Sequence, residues 1–292
     1  MRLGVHVPIA GGLLGAVERA ERLSCTTMQI FSRSPRGGHA PTLSAEEAGR
    51  FDTLRRRAGV TPLAVHSPYI MNLASPEPQM WKRSVALFQE EYRRAAQLKA
   101  EYLVTHVGSH KGQGEALGIQ RVARALNRTL AAVRPTVMIL LENAAGAGQG
   151  LGYQFEQLAA IYRAVKRKAC VGFCLDTAHL FAAGFPIHTG AGLRETVALF
   201  DRVIGLRHLK LIHLNDSKAP FDSRVDRHWH IGQGHIGMDG MRRIVNDPRL
   251  QRVPLILETP KKTDSEDRQN LATVRHLANA RGRSQRTPPH QT

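Results

Sequence analysis

Cysteine is scarce in this chain. Its 292 residues include only Cys25, Cys170 and Cys174, an odd number without a Cys-x-x-Cys pair. A disulfide framework or a cysteine zinc knuckle requires paired or closely spaced cysteines, so neither is indicated. We therefore expect a cytoplasmic protein, because thiols stay reduced in that compartment.

Long apolar runs are also lacking. No uninterrupted apolar segment approaches the roughly 20 residues that a membrane-spanning helix needs, so membrane insertion is not expected. Residues 3–17 carry no Asp, Glu, Lys or Arg and follow Arg2, a pattern that superficially resembles an export signal. His6, Pro8 and paired glycines interrupt this segment, and the charged residues 18–22 follow directly. We therefore do not expect it to direct export.

Acidic residues are few relative to basic ones. The chain has 24 Asp and Glu against 41 Lys and Arg, a formal net charge of +17. Such an excess suits a polyanionic partner such as nucleic acid. An ordinary basic surface would account for it equally, because many of the arginines lie in helical stretches such as residues 54–57 and 121–128. Charge alone does not decide between the two.

The chain does contain a series of short apolar runs that stop at a potential metal ligand. These runs are residues 61–66, 102–106, 137–142, 171–176, 209–213 and 254–258, and residues 2–7 and 27–31 are two further strand candidates. Short runs rich in Val, Ile and Leu, separated by helical stretches, are typical of buried parallel strands. We predict helices at residues 44–58, 77–99, 115–133, 154–167, 193–203, 238–246 and 265–280, with a Ser75-Pro76 start signal for the second.

Eight strand and helix pairs predict an α/β protein, a single (β/α)8 TIM barrel, rather than an open doubly wound sheet. A chain of 292 residues has the size of one such barrel. We assign residues 1–279 to the barrel domain. Residues 280–292 have no large apolar side chain to pack, so we expect a disordered basic tail.

The candidate ligands should meet at one face of this barrel, because the C-terminal ends of all its strands open on the same side. They are His66, His106, Glu142, Asp176, His179, His213, Asp226, His228 and Glu258. Imidazole and carboxylate ligands suit zinc, manganese or iron in a catalytic site. Clustered Asp and Glu would repel one another without bound cations. The pattern predicts a multinuclear metal enzyme with its site at the barrel mouth.

The candidate ligands stand in longer motifs. These are Gly4-Val-His-Val with Gly11-Gly12, His66-Ser-Pro-Tyr-Ile-Met-Asn-Leu-Ala-Ser75, His106-Val-Gly-Ser-His110, Leu141-Glu-Asn-Ala-Ala-Gly146, Asp176-Thr-Ala-His-Leu-Phe-Ala-Ala-Gly184, His213-Leu-Asn-Asp-Ser-Lys218, Val225-Asp-Arg-His228 with Gly232-Gln-Gly-His-Ile-Gly237, and Leu257-Glu-Thr259. In sequence and order, across residues 2–260, these motifs resemble those of the endonuclease IV family of apurinic/apyrimidinic (AP) DNA endonucleases.

The resemblance implies a site for three metal ions, expected to be Zn²⁺ with Mn²⁺ or Fe²⁺ as alternatives at some positions. By that resemblance, His66 and His106 bind the first ion, and Glu142 bridges it to the second. Asp176, His213 and Glu258 complete the second site, and His179, Asp226 and His228 hold the third. We assign Glu142 and Glu258 to catalysis, with no side-chain nucleophile needed.

The implied reaction is hydrolysis of the phosphodiester 5′ to an abasic site, which leaves a 3′-hydroxyl and a 5′-deoxyribose phosphate. This is the activity of deoxyribonuclease IV of the phage-T4-induced type. The expected partner is double-stranded DNA with abasic sites or blocked 3′ ends, bound by a monomer with the abasic nucleotide flipped out of the stack. Arg36 and Tyr69 match DNA-contacting positions of the family. Gly37-Gly38 stands where the family commonly has a bulky residue inserted into DNA, so this chain departs from the family pattern there.

Two other functions remain open at this point. A xylose-isomerase-like sugar isomerase or epimerase shares the architecture and can place two carboxylates and a histidine around one divalent metal. The additional ligands His66, His106, His179, Asp226 and His228 exceed what such an enzyme needs. A non-catalytic DNA-binding protein would explain the basic charge but not the ligand set.

Overall fold

Short parallel strands form the centre of the molecule. The computed structural model describes residues 1–36, 40, 42–134 and 136–279. Its barrel strands are β1 (Leu3–Val5), β2 (Met28–Phe31), β3 (Leu63–His66), β4 (Tyr102–His106), β5 (Met138–Glu142), β6 (Val171–Asp176), β7 (Leu209–His213) and β10 (Leu255–Leu257). They make one 8-stranded sheet in the order β1-β10-β7-β6-β5-β4-β3-β2.

The first and last strands of this order also meet, so the sheet curves into a barrel. His6 and Gln29 form a parallel bridge next to β1 and β2. The Val7 amide donates to the Gln29 carbonyl at 2.7 Å, and the Thr26 amide donates to the Leu3 carbonyl at 2.9 Å. The predicted α/β class and (β/α)8 TIM barrel are therefore confirmed, with β1 shorter than the predicted 2–7.

Helices cover the outside of the barrel. They are α1 (Leu13–Arg22), α2 (Ala45–Arg57), α3 (Pro78–Gln97), α4 (Glu115–Ala132), α5 (Phe155–Ala164), α6 (Thr177–Ala182), α7 (Gly190–Val203), α8 (Gly237–Asn246) and α9 (Asp264–Asn279). A short antiparallel pair, β8 (Asp216–Ser217) and β9 (His228–Trp229), lies outside the barrel sheet. The helices bury their apolar faces against the outward-facing strand residues in one large core.

Local capping chemistry explains where several helices begin. The Ser44 hydroxyl accepts from the Glu47 amide at 3.0 Å, which starts α2 as predicted. The predicted Ser75-Pro76 start of α3 is wrong, because Pro78 occupies the first turn and Glu77 is the N-cap. Thr189 caps α7 through the Gly192 amide, so this helix begins before the predicted residue 193. A short 3₁₀ segment, Lys168–Cys170, follows α5, which ends at residue 164 instead of 167.

Several further expectations concern the ends of the chain and its surroundings. Residues 3–17 contribute β1 and part of α1, so this segment belongs to the barrel. None of the helices in the described part of the chain is long and apolar enough to span a membrane. Cys25, Cys170 and Cys174 are free cysteines. The predicted tail, residues 280–292, lies outside the described residues, so the 279/280 domain boundary stays a prediction.

Candidate metal centre

The period-two alternation of strand residues places six candidate ligands inside the barrel mouth. A small apolar layer fills the barrel interior with Ala64, Val104, Leu140, Cys174, Leu211 and Ile256. The ligand candidates His66, His106, Glu142, Asp176, His213 and Glu258 each lie two positions further along the same strand or just beyond it. Because alternate side chains share one face of a strand, these six point inward above the apolar layer.

These side chains, together with His179 and His228, form three adjoining groups. Within each group, the potential ligand atoms all lie within 4.8 Å of one another. The first group is His66, His106 and Glu142; the second is Glu142, Asp176, His213 and Glu258; the third is Asp176, His179 and His228. Glu142 belongs to the first two groups and Asp176 to the last two. The sequence expectation differs at two residues, because it placed Asp176 in the second group alone and Asp226 in the third group.

The two oxygens of Glu142 face different groups. Oε2 lies 3.2 Å from Nε2 of His66 and 3.6 Å from Nε2 of His106. Oε1 lies 3.0 Å from Nδ1 of His213 and 3.5 Å from Nδ1 of His179. Glu142 is 1% exposed, so its carboxylate has almost no contact with solvent. This is the geometry of a bridging ligand between two cation sites.

Asp226 completes the third group from the opposite side. It lies outside the 4.8 Å sets, yet its Oδ2 is 3.2 Å from Nε2 of His179 and its Oδ1 is 3.4 Å from Nε2 of His228. Its side chain is 53% exposed, unlike the other carboxylates of the mouth. Asp226 therefore opens the third group to solvent, and His106, 32% exposed, opens the first.

Backbone carbonyls orient three of these imidazoles. Nδ1 of His66 donates to the Ser67 carbonyl at 2.7 Å, and Nδ1 of His179 donates to the Asn143 carbonyl at 2.9 Å. Nδ1 of His228 donates to the Glu258 carbonyl at 3.2 Å. With the proton on Nδ1, each neutral ring turns the lone pair of Nε2 toward the centre of the site.

This arrangement fits metal cations. Nε2 of His179 and Nε2 of His228 face each other at 3.4 Å, and both also face carboxylate oxygens. Two lone pairs at that distance repel unless protons or a cation lie among them. Buried carboxylates and aimed imidazole nitrogens are the ligands that divalent transition metals accept in catalytic sites.

Charge compensation within the mouth shifts several pKa values. Burial raises the pKa of Glu142, but His106 and His213 outweigh it and bring that pKa well below its usual range. Burial lowers the pKa of His213, but Cys174, Glu258 and Glu142 raise it well above its usual value. The carboxylates thus draw positive charge into the site, which protons or metal ions can supply.

Gln29 is a site residue that the sequence pattern did not reveal. Its Nε2 donates to Oε1 of Glu258 at 2.6 Å, and its Oε1 accepts from Nε2 of His213 at 2.9 Å. The amide is fully buried and fixes both side chains at once. The only available signal was a polar residue within the apolar strand Met28–Phe31, next to the bridge with His6.

Asn215 has a similar role on the other side of the mouth. Its Nδ2 donates to Oδ2 of Asp176 at 2.6 Å, and its Oδ1 accepts from the Glu258 amide at 2.8 Å. Thr177 in turn holds the Asn215 backbone carbonyl at 2.6 Å. Asn215 therefore ties the end of β10 to the shared carboxylate of Asp176.

The hairpin that carries His228 is anchored by a buried carboxylate. Asp216, fully buried, accepts hydrogen bonds from the backbone amides of Ser217, Gly232, Gly234, Ile236 and Gly237. A Cβ at Gly234 would lie 2.4 Å from the Ser217 carbonyl oxygen, which explains glycine there. This anchoring holds the segment 217–237 against the barrel and so positions the third group.

The two predicted DNA contacts lie at the rim of the mouth. The Tyr69 ring is 59% exposed and sits 5.3 Å from His66 and 6.0 Å from His106, measured between ring centroids. Arg36 is exposed in the turn after β2. Buried Arg33 in that turn is paired with Glu90 and Glu91 of α3. Gly37-Gly38 lies outside the described residues.

A cleft opens directly beside the ligand groups. Its volume is about 460 Å³, within the range of small-ligand pockets. His6, Phe31, Tyr69, Glu258 and Lys261 are among the residues that line it. The ammonium group of Lys261 is held by the His6 carbonyl at 2.6 Å and by Asp267 at 2.7 Å. The lining of this cleft therefore combines aromatic rings with charged groups.

Comparisons with known proteins place this geometry in a family. Residues 17–280 match the family model described as xylose isomerase-like TIM barrel. The "Probable endonuclease 4" of Chloroflexus aurantiacus is 46% identical over 278 residues, covering 94% of this chain and 98% of that protein. The protein of the same description from Halothermothrix orenii is 44% identical over 261 residues, covering 89% and 94%.

Solved structures agree. Endonuclease IV from Thermus thermophilus superimposes with a TM-score of 0.86 at 37% identity, covering 96% of this chain and 100% of that one. A D-tagatose 3-epimerase-like protein, 20% identical with a TM-score of 0.70, shares the fold alone. The full-length matches at high identity are to endonucleases, and this chain belongs to the endonuclease IV family within the xylose isomerase-like TIM barrels.

Proposed function

We propose that this protein is a DNA-repair endonuclease that hydrolyses the phosphodiester 5′ to an abasic site, leaving a 3′-hydroxyl and a 5′-deoxyribose phosphate. One observation carries the proposal: three adjoining ligand groups at the barrel mouth share Glu142 and Asp176. A one-metal isomerase has no use for three coupled groups. Membership of the endonuclease IV family supports the same conclusion.

The proposed cofactor is a set of three Zn²⁺ ions, with Mn²⁺ or Fe²⁺ as alternatives at some positions. The proposed ligands are His66, His106 and Glu142 for the first; Glu142, Asp176, His213 and Glu258 for the second; and His179, Asp226 and His228 for the third. Bound cations would lower the pKa of water to supply a nucleophile and would neutralise charge on the phosphate.

In this proposal the protein's own side chains set the geometry. Glu142 holds the first two groups in register through its two oxygens. Glu258 presents Oε2 to the second group, 3.1 Å from Nδ1 of His213, while Gln29 holds its other oxygen. We assign both glutamates to catalysis on this basis. Asp226, the exposed ligand, would lie where the phosphate enters.

DNA binding is proposed to use the rim of the mouth. Tyr69 projects above His66 and His106, where an aromatic ring can fill the space of a missing base. Arg36 lies in the turn after β2, whose base is held by the buried Arg33. The cleft beside Glu258 has room for a sugar phosphate turned out of the duplex. The formal charge of +17 favours backbone contacts over base reading.

Further expectations extend this proposal. We propose deoxyribonuclease IV specificity, removal of blocking groups from 3′ ends, and action as a monomer. Cytoplasmic location stays a prediction that rests on the free cysteines.

The test is incubation of the purified protein with an end-labelled duplex that carries one abasic site. An intact duplex and a chelator-treated protein serve as controls, and the chemical ends of the products are identified. We expect metal-dependent cleavage only 5′ to the lesion, with a 3′-hydroxyl product. Tight binding of the lesion without cleavage by metal-loaded protein would contradict the proposal and favour a DNA-binding role.

The sugar isomerase alternative has only the shared fold in its favour. The epimerase-like structures are 20% identical or less. If metal-loaded protein neither binds nor cleaves the lesion duplex, ketose and aldose substrates become the next assay.

A further inference from the structure

Four cations form a patch on the outer wall of the barrel, which we name the α4 patch. Its members are Arg121, Arg124 and Arg128 of α4 and Lys166, which follows α5. The three arginines are spaced i, i+3 and i+7, so they share one side of the helix. Arg124, Arg128 and Lys166 are exposed, and Arg121 is partly exposed.

The α4 patch lies away from the metal centre. α4 begins at Glu115, after the loop that leaves the mouth at the end of β4. At a rise of 1.5 Å per residue, Arg124 lies about 14 Å and Arg128 about 20 Å from that end of the helix. The patch therefore lies along the outer wall, separated from the mouth end of α4 by about 14–20 Å at Arg124 and Arg128.

Trp81 fixes the orientation of two of these arginines. Its ring, 6% exposed, lies under the guanidinium of Arg124 at 4.5 Å and that of Arg128 at 5.6 Å, measured to the ring centroid. Stacking of this kind restricts a long side chain without consuming its hydrogen-bond donors. The two guanidinium groups are thus held close together although their charges repel.

None of these four cations forms an ion pair with a carboxylate in the part of the chain that the structure describes. On α3, Glu90 and Glu91 pair with Arg33. The acidic residues of α4 and α5, Glu115 and Glu156, lie in the first turns of their helices, toward the mouth. Pre-ordered guanidinium groups without a protein anion favour an anion from outside the protein.

The surface between α4 and α5 is concave, and a side-chain link joins the two helices. A shallow hollow of about 480 Å³ is lined by Arg124, Asn127, Arg128 and Lys166, among others. Asn127 joins the two helices, because its Nδ2 donates to the Ala164 carbonyl at 3.1 Å and its Oδ1 accepts from the Lys166 amide at 2.8 Å. The backbone of Lys166 is therefore tied to α4, and its side chain lines the same hollow as Arg124 and Arg128.

We propose that the α4 patch binds the phosphate backbone of a second DNA duplex while the mouth holds the lesion, an inference that rests on the proposed function. Arg121 to Arg128 span about 10 Å, which matches about three phosphates of one strand at 3.4 Å each along the duplex axis. The Trp81 ring is covered, so it offers no stacking platform for bases. Such a surface would let the enzyme pass between neighbouring DNA segments.

The test compares two triple variants of the full chain that remove equal charge. The patch variant is R124Q/R128Q/K166Q, and the control is R50Q/R202Q/R252Q, which removes exposed arginines from separate places. Glutamine keeps most of the aliphatic stem over Trp81, so the helix packing should survive. Melting temperatures of both variants check this point.

The mouth is first saturated with a short donor-labelled lesion duplex whose 5′ linkage is a non-hydrolysable phosphonate. An intact acceptor-labelled duplex is then titrated in, and energy transfer reports the ternary complex. We expect wild type and control to bind the second duplex, and the patch variant to bind it at least about tenfold more weakly. For the patch variant, the slope of the logarithm of the binding constant against the logarithm of the salt concentration should be smaller in magnitude by about 3, at about 0.9 for each lost phosphate contact.

Equal binding of the second duplex by patch variant and control would overturn the proposal. Displacement of that duplex by inorganic phosphate, beyond the effect of chloride at the same ionic strength, would also overturn it and indicate a discrete phosphate pocket. Single-turnover incision of a short lesion duplex separates the two claims. Wild type that incises but forms no ternary complex refutes the second surface alone, whereas wild type that does not incise refutes the proposed function.

Discussion

Replacing Glu142 with glutamine perturbs the metal centre at its most connected point. The substitution keeps the shape of the side chain but removes its charge and turns one oxygen into an NH₂ group. That oxygen faces either His66 at 3.2 Å or His213 at 3.0 Å, because the two oxygens serve different groups. Whichever way the amide turns, one group of ligands meets a donor where it needs an acceptor.

The expected loss of incision rate follows from the ligands that remain after the substitution. The first group retains only His66 and His106, and the second loses the carboxylate that it shares with the first. Metal ions stabilise the charge of such transition states by several kcal/mol. A loss of about 4–6 kcal/mol corresponds to a rate lowered by about 10³–10⁴-fold. DNA affinity should change little, because the basic residues at the rim are untouched.

The assay is single-turnover incision of an abasic duplex at saturating protein, with metal content and DNA affinity measured on the same preparation. Glu115→Gln is the matched control, because it removes one carboxylate charge from an exposed position at the mouth end of α4. We expect the control to incise at the wild-type rate. Incision by Glu142→Gln within tenfold of wild type would refute the bridging role.

Three other perturbations test separate parts of the site. Gln29→Leu removes the amide that holds Glu258 and His213, so we expect metal affinity, measured by chelator competition, to fall about 10–100-fold; an unchanged affinity would contradict the positioning role. Arg36→Ala should weaken lesion binding more than it slows incision at saturating DNA, and an unchanged dissociation constant would move the lesion contact elsewhere. Burial lowers the pKa of His179 and of His213, but neighbouring acids raise both pKa values well above 6.5. The proton-bound forms therefore stabilise the metal-free fold below about pH 6.5, and this contribution is lost as the pH rises through the raised pKa values. In urea unfolding, the free energy of unfolding of the metal-free protein should fall above neutral pH, whereas the metal-loaded protein should not lose this contribution. If the free energies of the two forms changed with pH in the same way, the assignment of protonated His179 and His213 to the metal-free protein would be contradicted.

The barrel could be predicted because its strands follow a simple rule. Each buried strand is a short apolar run, and six of the eight end at or directly before a polar ligand candidate such as His66 or Glu142. Period-two alternation then places that residue inside the mouth, two positions beyond an interior side chain such as Ala64 or Leu140. Strand and ligand thus support one another in the sequence.

The supporting contacts could not be predicted because they depend on tertiary packing. Gln29 lies within the strand β2 and Asn215 lies just beyond β7, and only the closed barrel brings both residues to Glu258. The sharing of Asp176 between two groups has the same origin. His179 lies on the helix α6, whose N-cap is Asp176. That helix turns His179 back toward the carboxylate.

The start of a helix could be predicted where the sequence offers one capping residue, and it could not where two adjacent start signals are present. Ser44 begins α2 as its sequence indicates. Before α3, the dipeptide Ser75-Pro76 is followed directly by Glu77-Pro78, and the helix begins at the second of these, with Glu77 as its N-cap. The Ser75 hydroxyl instead accepts from the Glu77 amide at 3.2 Å in the turn before it.

Anomalous diffraction at the zinc absorption edge, from crystals of the zinc-loaded protein, tests the three-cation site most directly. The account predicts three peaks: one between His66, His106 and Glu142; one between Glu142, Asp176, His213 and Glu258; and one between His179, Asp226 and His228. A single peak, or peaks that do not involve Glu142 as a shared ligand, would contradict it.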